Sequence, residues 1–408
     1  MKNSHIRKVT AIAEVFSKGL KCTGAAVEYD CSISPDSVQP DCFSVEGRTV
    51  TGAYVSAEPD GEAGEGCYVM LAFSPDDPGA QLYQRGDMMS KRPAYIEDAK
   101  LSVRQIRAVR AAGGQELVSS ETVLSSGTVT RVADDFVSGQ FQGLSYNLFI
   151  PKDYDPEKEY PLVQFIHDAD VCGDDVHCTL AQGPGALVFA SEEWQKEHPC
   201  FVLAPQFKMP TIVDDEWNVD HRLETAKQLL DRIVSLYSIN RERIYTTGQS
   251  MGCMSSLVLN LRYPDYFAAS LFVSGQWDER LFAGSGLEHK NFWFITSVGD
   301  AKAFPGMNQI LVALEHDGAA VEREIWETGW SQDTYAERVR NLTQSGANMF
   351  FTPFDITTVA NGWHSHGGEH HMDSFHYAYE IRALREWLFA QSLKSRTARG
   401  SWRGVRGA

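Results

Sequence analysis

The residues with the clearest chemical potential form the stretch Gly248-Gln-Ser-Met-Gly252. The β-branched and aromatic residues of 244–247 predict a short strand before it. Apolar residues recur at helical spacing after it and predict a helix, namely Met254, Leu257, Val258 and Leu261. A G-x-S-x-G pattern between a strand and a helix holds its serine on a sharp turn, with the hydroxyl directed away from its own backbone. We therefore predict that Ser250 is a nucleophile.

A serine hydroxyl needs a base, and the base needs a carboxylate that orients it. At the carboxyl edge of a parallel sheet the expected chain order is serine, acid, histidine. Asp300 follows the predicted strand Phe292–Thr296 and a glycine turn, so it is the predicted acid. A cap of the following helix is the structural alternative for this residue, and Asp278 is the main rival acid.

The base should lie after the last strand and before the C-terminal helix, where five histidines crowd together: His364, His366, His370, His371 and His376. His366 and His370 could also bind a metal from one helix face, but Gly367 and Gly368 between them argue against a helix there. His370 and His371 are the candidates for the base, and spacing alone does not separate them.

Two backbone N–H groups should bind the negative oxygen of a reaction intermediate. Met251, directly after the nucleophile, supplies one of them. The other should follow the strand Leu162–Ile166, within His167-Asp-Ala-Asp170. Side chains that could line the pocket are His167, Gln249, Trp277 and Trp330. Trp330 lies in 318–346, which we predict to be an insertion that shapes specificity; a surface excursion with tryptophans packed beneath it is the alternative.

The elements that must position these residues fall into two regions. Residues 9–118 predict a small β-sandwich, because short strands alternate with acidic turns. The predicted strands are Val9–Phe16, Ala25–Tyr29, Thr49–Val55, Cys67–Phe73 and Leu101–Val109. No catalytic spacing occurs in this region, so a structural or substrate-fencing role is expected.

Residues 119–140 are predicted to connect the sandwich to an α/β domain at 141–392. That domain has continuous apolar strands, which are typical of a parallel sheet buried on both faces. They are Leu144–Ile150, Leu162–Ile166, Phe201–Ala204, Ala268–Val273, Phe292–Thr296 and Met349–Phe354. Helices are predicted at Pro305–His316 and Phe375–Gln391, and the basic tail 393–408 is predicted to be disordered.

Net charge, apolar runs and cysteine spacing argue against several classes of function. The formal net charge of -17 over 408 residues disfavours binding to nucleic acid or to anionic membranes. No apolar run is long enough to span a membrane, and the N-terminus does not resemble a secretory signal, so a cytoplasmic location is expected. Without a C-x-x-C motif, the eight cysteines are expected to be free thiols.

Several blocks resemble the polyhydroxybutyrate-depolymerase-like esterases of the α/β-hydrolase superfamily. They match the subgroup often called predicted peptidases, some of which carry an N-terminal immunoglobulin-like (Ig-like) domain. The blocks are Gly248–Gly252, Arg262–Gly275, Gly299–Gly306, Phe201–Gln206 and His371–Tyr379. The likeness covers about residues 140–391, and for residues 9–118 it depends on domain order more than on motifs.

The resemblance implies an α/β-hydrolase fold with a mostly parallel sheet, preceded by a small all-β Ig-like sandwich. It implies Ser250 as nucleophile, Asp300 as acid and, from the pattern H-x-x-[ST]-[WF]-x-x-A-Y, His371 as base. Asp168 stands where the family often has glycine after the oxyanion strand. With that departure, Ala169 is taken as the second oxyanion donor.

The expected function is that of a serine carboxylesterase for short-chain or aryl esters, with no cofactor. A feruloyl or acetyl polysaccharide esterase, or a peptidase, on the same residues is the first alternative. A protein that binds metal through its histidine cluster is the second. The expected partner is a small-molecule or saccharide-linked ester, with no nucleic acid and no membrane, and the sequence leaves the oligomeric state open.

Overall fold

The computed structural model describes residues 5–119 and 121–394, so the predicted basic tail lies outside the described residues from 395 on. The chain divides into two compact units. The first unit contains the residues up to Arg85 together with Tyr95–Asp135 and Ala181–Gly183. The second unit contains Gly86–Ala94, Phe136–Leu180 and the chain from Pro184 onward.

The first unit is built from small, mostly antiparallel sheets. A five-stranded sheet has the order β12-β1-β2-β5-β4, a three-stranded sheet has the order β11-β8-β3, and two-stranded sheets pair β9 with β10 and β6 with β7. The strands are β1 Ile6–Phe16, β2 Gly19–Ile33, β3 Phe43–Val45, β4 Val50–Ser56, β5 Gly66–Phe73, β6 Tyr83–Gln84, β7 Tyr95–Ile96, β8 Ser102–Gln105, β9 Val109–Arg110, β10 Glu116–Leu117, β11 Thr122–Leu124 and β12 Thr128–Thr130.

The core of this unit lies between its two larger sheets. Tyr29 of β2 and Gln105 of β8 are both buried, and the tyrosine hydroxyl donates a hydrogen bond to the glutamine amide oxygen over 3.0 Å. The strand predicted at Leu101–Val109 is split into β8 and β9. The reason is a change of partner: β8 pairs with β3 and β11, whereas β9 pairs with β10.

The segment predicted to connect the two regions is used by both units. Strands β11 and β12 complete the two larger sheets of the first unit, where β12 pairs in parallel with β1. Strand β13, Phe136–Phe141, instead opens the sheet of the second unit. Short polar strands such as Thr122–Leu124 and Thr128–Thr130 have no apolar run, so the sequence pattern gave no sign of them.

A nine-stranded, mostly parallel sheet forms the second unit, with the order β13-β14-β16-β15-β17-β18-β19-β21-β20. Only the pairs β13–β14 and β14–β16 are antiparallel. The strands are β13 Phe136–Phe141, β14 Leu144–Phe149, β15 Tyr160–Ile166, β16 Phe201–Gln206, β17 Ile239–Gln249, β18 Ala269–Val273, β19 Asn291–Ile295, β20 Val321–Arg323 and β21 Met349–Phe351. Every residue of β18 and β19 is buried, as expected for central strands covered on both faces.

Helices cover the sheet with their apolar faces. They are α1 Cys178–Ala181, α2 Glu192–Glu197, α3 Arg222–Leu236, α4 Met251–Arg262, α5 Ala303–His316, α6 Gln332–Gln344, α7 Gly367–Glu380 and α8 Arg382–Phe389. In α3 the buried residues include Leu223, Ala226, Leu230 and Ile233, which recur at the spacing of one helix face. Among the described residues no helix is both long and apolar enough to cross a membrane.

The C-terminal helix predicted at Phe375–Gln391 is two helices, and the first begins earlier than expected. Ile381 separates them with an extended backbone. The side chain of Gln332 bridges the break, because its amide donates to the Glu380 carbonyl over 3.1 Å and accepts from the Arg382 N–H over 2.9 Å. A contact from a distant helix therefore fixes a boundary that local periodicity does not reveal.

Residues 318–346 are part of the sheet rather than an addition to it. They supply the edge strand β20, which pairs in parallel with β21, and the helix α6. Strand β20 has only three residues and none is fully buried, so its sequence lacks the apolar run by which the other strands were recognised.

Candidate active site

The turn between β17 and α4 holds Ser250 in an unusual backbone conformation, with φ 52° and ψ −118°. A non-glycine residue in this region is strained, and such strain is typical of a nucleophile on a strand-to-helix turn. A Cβ atom on Gly252 would lie 1.8 Å from the Ile166 carbonyl oxygen, and one on Gly248 would lie 2.6 Å from it. Both glycines are therefore required by the close packing of α4 against β15.

The structure brings Ser250, His371 and Asp300 into one hydrogen-bonded row. His371 Nε2 lies 2.9 Å from Ser250 Oγ, and His371 Nδ1 lies 2.6 Å from Asp300 Oδ2. Since a carboxylate only accepts, Nδ1 carries the proton and Nε2 is left as the acceptor for the serine hydroxyl. The three residues come from the ends of two strands and from the first turns of α7, as chain order predicted.

Asp300 is buried, with 2% of its surface exposed. Burial raises the pKa of this carboxyl, but the hydrogen bond and charge of His371 and the N–H groups of Ala303 and Lys302 outweigh it, so the pKa is lowered. These two N–H groups donate to Oδ1 over 2.9 and 3.1 Å. Asp300 therefore caps the chain entering α5 with one oxygen and bonds the histidine with the other, which leaves it ionised.

His370, the other candidate base, has a different place. It is 1% exposed, its Nδ1 lies 3.1 Å from Ser297 Oγ, and its Nε2 lies 3.0 Å from the Gly362 carbonyl oxygen. A Cβ atom on Gly299 would lie 2.4 Å from the imidazole ring. The ring is thus enclosed under the loop that carries Asp300, with both nitrogens bonded.

The remaining histidines do not gather around a common point. His366 precedes α7 and accepts from the Glu369 N–H, while the Glu369 carboxylate accepts from the His366 N–H. This capping box starts the helix at Gly367, so the expectation that the two glycines exclude a helix was wrong. Within residues 5–119 and 121–394, no group of three or more His, Cys, Asp or Glu side chains could hold a metal ion.

The rival acid, Asp278, caps a short 3₁₀ turn and forms a two-pronged ion pair with Arg280. Its carboxylate oxygens lie 2.8 Å from the arginine Nε and Nη2 atoms. The hydrogen bond to Arg280 is the main reason that the pKa of Asp278 is lowered. This carboxylate is committed to its own turn, whereas Asp300 faces His371.

Asp168 occupies its turn without strain, since its φ of −76° and ψ of 172° suit any residue. Its Oδ1 caps the N–H of Asp170 over 3.0 Å, and its Oδ2 accepts from the side-chain amide of Gln249 over 2.9 Å. The departure from the glycine of the resembling family therefore leaves the turn intact. It also ties the residue before Ser250 to the predicted oxyanion loop.

The two predicted oxyanion donors both stand first in a helix. Ala169 begins the 3₁₀ turn Ala169–Val171, and Met251 begins α4. The N–H groups at the start of a helix have no partner within it, so both can donate to a bound oxygen. That they serve this purpose remains a prediction.

His167 lies away from any pocket surface, contrary to the expectation that it lines one. It is fully buried, its Nδ1 donates to the Asp168 carbonyl over 2.7 Å, and its Nε2 accepts from the Phe207 N–H over 2.9 Å. Burial lowers the pKa of His167 to about 4. The neutral ring joins the loops that follow β15 and β16.

The two predicted pocket tryptophans differ in position. Trp277 is buried in the loop after β18 and contacts the ring of Trp217, with centroids 5.3 Å apart. Trp330 is half-buried and packs against Trp326 and Tyr335, near α6. These contacts favour packing over a pocket wall for Trp330, whose role at the pocket stays a prediction along with those of Trp277 and Gln249.

Sequence reasoning missed the segment Gly86–Ala94, which was included in the predicted sandwich but clusters with the second unit. Its Gly86 N–H donates to the Asp170 carbonyl over 2.8 Å, and its Ala94 N–H donates to the Cys172 carbonyl over 3.1 Å. The segment thus braces the turn that holds Ala169. Neither end has a catalytic residue type, so the sequence held no signal for this role.

Comparison with known proteins agrees with this architecture. Residues 8–118 match the family model of the esterase Ig-like N-terminal domain, and residues 212–345 match that of putative esterases. The crystal structure of a thermostable esterase is 26% identical over 95% of this chain and 100% of its own, with a TM-score of 0.77. The chain is an α/β-hydrolase esterase with an Ig-like N-terminal domain. The resemblance drawn from its sequence motifs is confirmed at this level.

Other solved structures are more distant. A feruloyl esterase module from Clostridium thermocellum, in complex with sinapinate, is 16% identical over 61% of this chain and 88% of its own, with a TM-score of 0.41. No curated protein sequence matches the chain. The two family models and the thermostable esterase support a hydrolase of carboxylic esters, and they confirm the predicted α/β-hydrolase fold and Ig-like domain.

Proposed function

We propose that the esterase hydrolyses short-chain or aryl carboxylic esters through an acyl-enzyme on Ser250, with His371 as general base and Asp300 as the orienting acid. The observation that carries the proposal is the row of hydrogen bonds, 2.9 Å from Ser250 Oγ to His371 Nε2 and 2.6 Å from His371 Nδ1 to Asp300 Oδ2. A base must be within hydrogen-bond reach of the proton that it removes, and this one is.

In the first half of the reaction, His371 Nε2 takes the Ser250 proton as Oγ attacks the ester carbonyl carbon. The carbonyl oxygen becomes negative and is bound by the N–H groups of Met251 and Ala169. The tetrahedral intermediate collapses when His371 gives its proton to the departing alcohol oxygen, which leaves an acyl group on Ser250. Asp300 stays ionised throughout and stabilises the transient imidazolium.

In the second half, water takes the place of the alcohol. His371 removes a proton from the water as its oxygen attacks the acyl carbon, and the same oxyanion donors bind the new intermediate. Collapse returns the proton to Ser250 Oγ and releases the carboxylic acid. Every proton is carried by this chain's own residues, so the scheme needs no cofactor.

The decisive experiment uses Ser250→Ala with p-nitrophenyl acetate as substrate. The substitution removes only the hydroxyl group, so hydrolysis should fall to the background rate while the fold is retained. The wild-type protein should also be labelled at Ser250 by a fluorophosphonate, and the variant should not. Full activity in the variant would sink the proposed mechanism.

The substrate class is tested with three leaving groups under the same conditions. Initial rates on p-nitrophenyl esters of increasing acyl length, on methyl ferulate and on an aminoacyl-anilide should rank the short aryl esters first. Aryl alcohols leave readily, whereas an amine must be protonated before it departs, so the anilide should be the slowest substrate. Preference for the ferulate or the anilide would replace the proposed substrate class and keep the residues.

A further inference from the structure

A row of three hydroxyl groups lies behind the acid, and the mechanism above gives it no role. Ser374 of α7, Ser274 after β18 and Thr296 after β19 are each fully buried. Ser374 Oγ lies 2.6 Å from Ser274 Oγ, Ser274 Oγ lies 3.0 Å from Thr296 Oγ1, and Thr296 Oγ1 lies 3.2 Å from Asp300 Oδ2. The row thus ends on the carboxylate oxygen that bonds His371.

The direction of these hydrogen bonds follows from the ionised carboxylate at one end. Asp300 only accepts, so Thr296 donates to it. The single hydrogen of Thr296 is then used, so Ser274 donates to Thr296, and Ser374 donates to Ser274. Ser274 and Thr296 thus each donate one hydrogen bond and accept another, and such a chain strengthens its final bond in a low-dielectric interior.

The single hydrogen of Ser374 is shared between two acceptors, because the His371 carbonyl oxygen in the preceding turn of α7 also lies 2.8 Å from Ser374 Oγ. The row therefore connects the helix that carries the base to the strand end that carries the acid. Ser274 is held for this contact at a positive φ of 47°, which a serine adopts only at a cost, and its N–H donates to the Ile295 carbonyl over 2.9 Å. Packing alone does not require a strained, fully buried serine between two other hydroxyls, so Ser274 is assigned a role in this row of hydrogen bonds.

We propose that Ser374, Ser274 and Thr296 form a positioning network that fixes Asp300 Oδ2 opposite His371 and limits the basicity of the pair. The inference rests on the proposed roles of Asp300 and His371. None of the three hydroxyls touches substrate, so they are positioning residues. Thr296 has the largest effect because it alone donates directly to the carboxylate.

The expected effect on pH dependence has a definite sign. Loss of the Thr296 donor leaves Asp300 Oδ2 with more negative charge to share with His371, which stabilises the imidazolium relative to the neutral ring. The base acts only when it is neutral, so activity begins at a higher pH. The acidic limb of the kcat/KM profile should therefore move upward.

Other titratable groups around the pair stay unchanged in this experiment. They are His370 on α7, enclosed under the acid loop; Lys302 after Asp300, whose ammonium lies 2.5 Å from an Asp215 oxygen; and Cys253 on α4, whose pKa burial raises well above its usual range. A shift of the acidic limb can therefore be attributed to the lost donor.

The test variant is Thr296→Val, which replaces the hydroxyl with a methyl group of similar size. Ser274 can then donate to Ser374, and Ser374 to the His371 carbonyl, so no buried donor is stranded and the fold should survive. We expect the acidic limb of kcat/KM for p-nitrophenyl acetate to rise by roughly half a pH unit. Thr296→Ser, which keeps the hydroxyl, should restore the wild-type profile.

Thr246→Val is the matched control, because Thr246 is also buried and its hydroxyl pairs with that of Ser256 over 3.0 Å. Thr246→Val should lower the free energy of unfolding by a similar amount and leave the acidic limb of kcat/KM at its wild-type pH. Ser274→Ala keeps the hydrogen bond from Thr296 to Asp300 but removes the one from Ser274 to Thr296. It should therefore move the acidic limb by less than Thr296→Val. If Thr296→Val does not fold, the network is tested by comparing the acidic limb of Ser274→Ala with that of Thr246→Val.

An acidic limb that stays at its wild-type pH in Thr296→Val and Ser274→Ala overturns the network, provided that wild-type activity depends on Ser250. A rate that falls equally at every pH does the same, since it indicates loose packing only. Wild-type protein without Ser250-dependent hydrolysis would instead contradict the proposed function. The two failures are thus distinguishable.

Discussion

His370 and His371 are adjacent in the chain but differ completely in their surroundings. Successive residues of a helix point about 100° apart, so the first turns of α7 direct one ring into the acid loop and the other toward Ser250. His370 is 1% exposed and is bonded on both nitrogens, whereas the His371 side chain is 23% exposed beside the nucleophile. Only the second ring can meet a substrate.

Replacement of each histidine by glutamine should separate a chemical role from a structural one. His371→Gln removes the proposed base and should lower kcat/KM for p-nitrophenyl acetate by at least about 10³-fold, with little change in the unfolding midpoint. His370→Gln should instead lower the urea midpoint, because it disturbs buried bonds to Ser297 and Gly362. Equal kinetic losses in both variants would contradict the assignment of the base.

At the residue level, the sequence is most specific where chain order restricts the choices. A serine on a strand-to-helix turn, an acid after a later strand and a histidine at the last helix are separated by 50 and 71 positions, yet the structure joins them by hydrogen bonds. The buried position of His167 could not be predicted, because the same residue type can line a pocket or bridge two loops. Its burial is set by β16, which is distant in sequence.

At the scale of elements, the contact between α4 and β15 determines where the nucleophile sits. The helix approaches the strand so closely that Gly252 lies against the carbonyl groups of Ile166 and His167. This approach places the start of α4, with Met251, next to the turn that begins at Ala169. The distance between the two proposed oxyanion donors therefore depends on the absence of a side chain at Gly252.

Gly252→Ala should damage both stability and catalysis. The added methyl group would lie 1.8 Å from the Ile166 oxygen, so α4 must move away from β15. We expect about 1–3 kcal/mol of destabilisation from the overpacking and a fall in kcat larger than the change in KM. Urea unfolding and ester kinetics measure the two effects.

Gly329→Ala is the control for that substitution, because a Cβ atom there has no neighbour within 4 Å and the residue is exposed. It should leave the urea midpoint and the kinetics close to wild type. If Gly252→Ala behaves like this control, the close approach of helix and strand is not what holds the site.

Element prediction succeeded for strands with continuous apolar runs and failed where distant contacts decide. Strands β18 and β19 are buried throughout and were found within one residue of their ends. Helix α7 began eight residues earlier than expected, because a histidine serves as its cap. Strand β20 went unrecognised because its three residues contain no apolar run. Pairing with β21 is what makes it a strand.

At the scale of the whole molecule, buried neutral groups make stability depend on pH. Each unit contains a buried polar contact that joins separate layers or loops: Tyr29 with Gln105 in the first, and His167 with Phe207 in the second. The tyrosine contact is uncharged near neutral pH, since burial raises the pKa of Tyr29 well above its usual range. The histidine is different, because its ordinary pKa of 6.5 lies close to working conditions.

Stability should therefore fall as the pH drops from about 6.5 toward about 4. Burial lowers the pKa of His167 to about 4 in the folded protein, whereas the unfolded chain takes up the proton near pH 6.5. Above pH 6.5 both states are neutral and the stability is fully present; below it, protonation favours the unfolded state. Between pH 7 and 4.5 this one group should remove roughly 2–3 kcal/mol of the free energy of unfolding.

The variant His167→Gln isolates this contribution, because an amide keeps one donor and one acceptor but does not titrate. It should be less stable than wild type at pH 7, and the difference should shrink at pH 4.5, as measured by urea unfolding. His316→Gln, at a side chain that is 89% exposed, controls for the loss of one histidine and should keep the wild-type pH dependence. A His167→Gln protein that loses as much stability as wild type between the two pH values would show that another group is responsible.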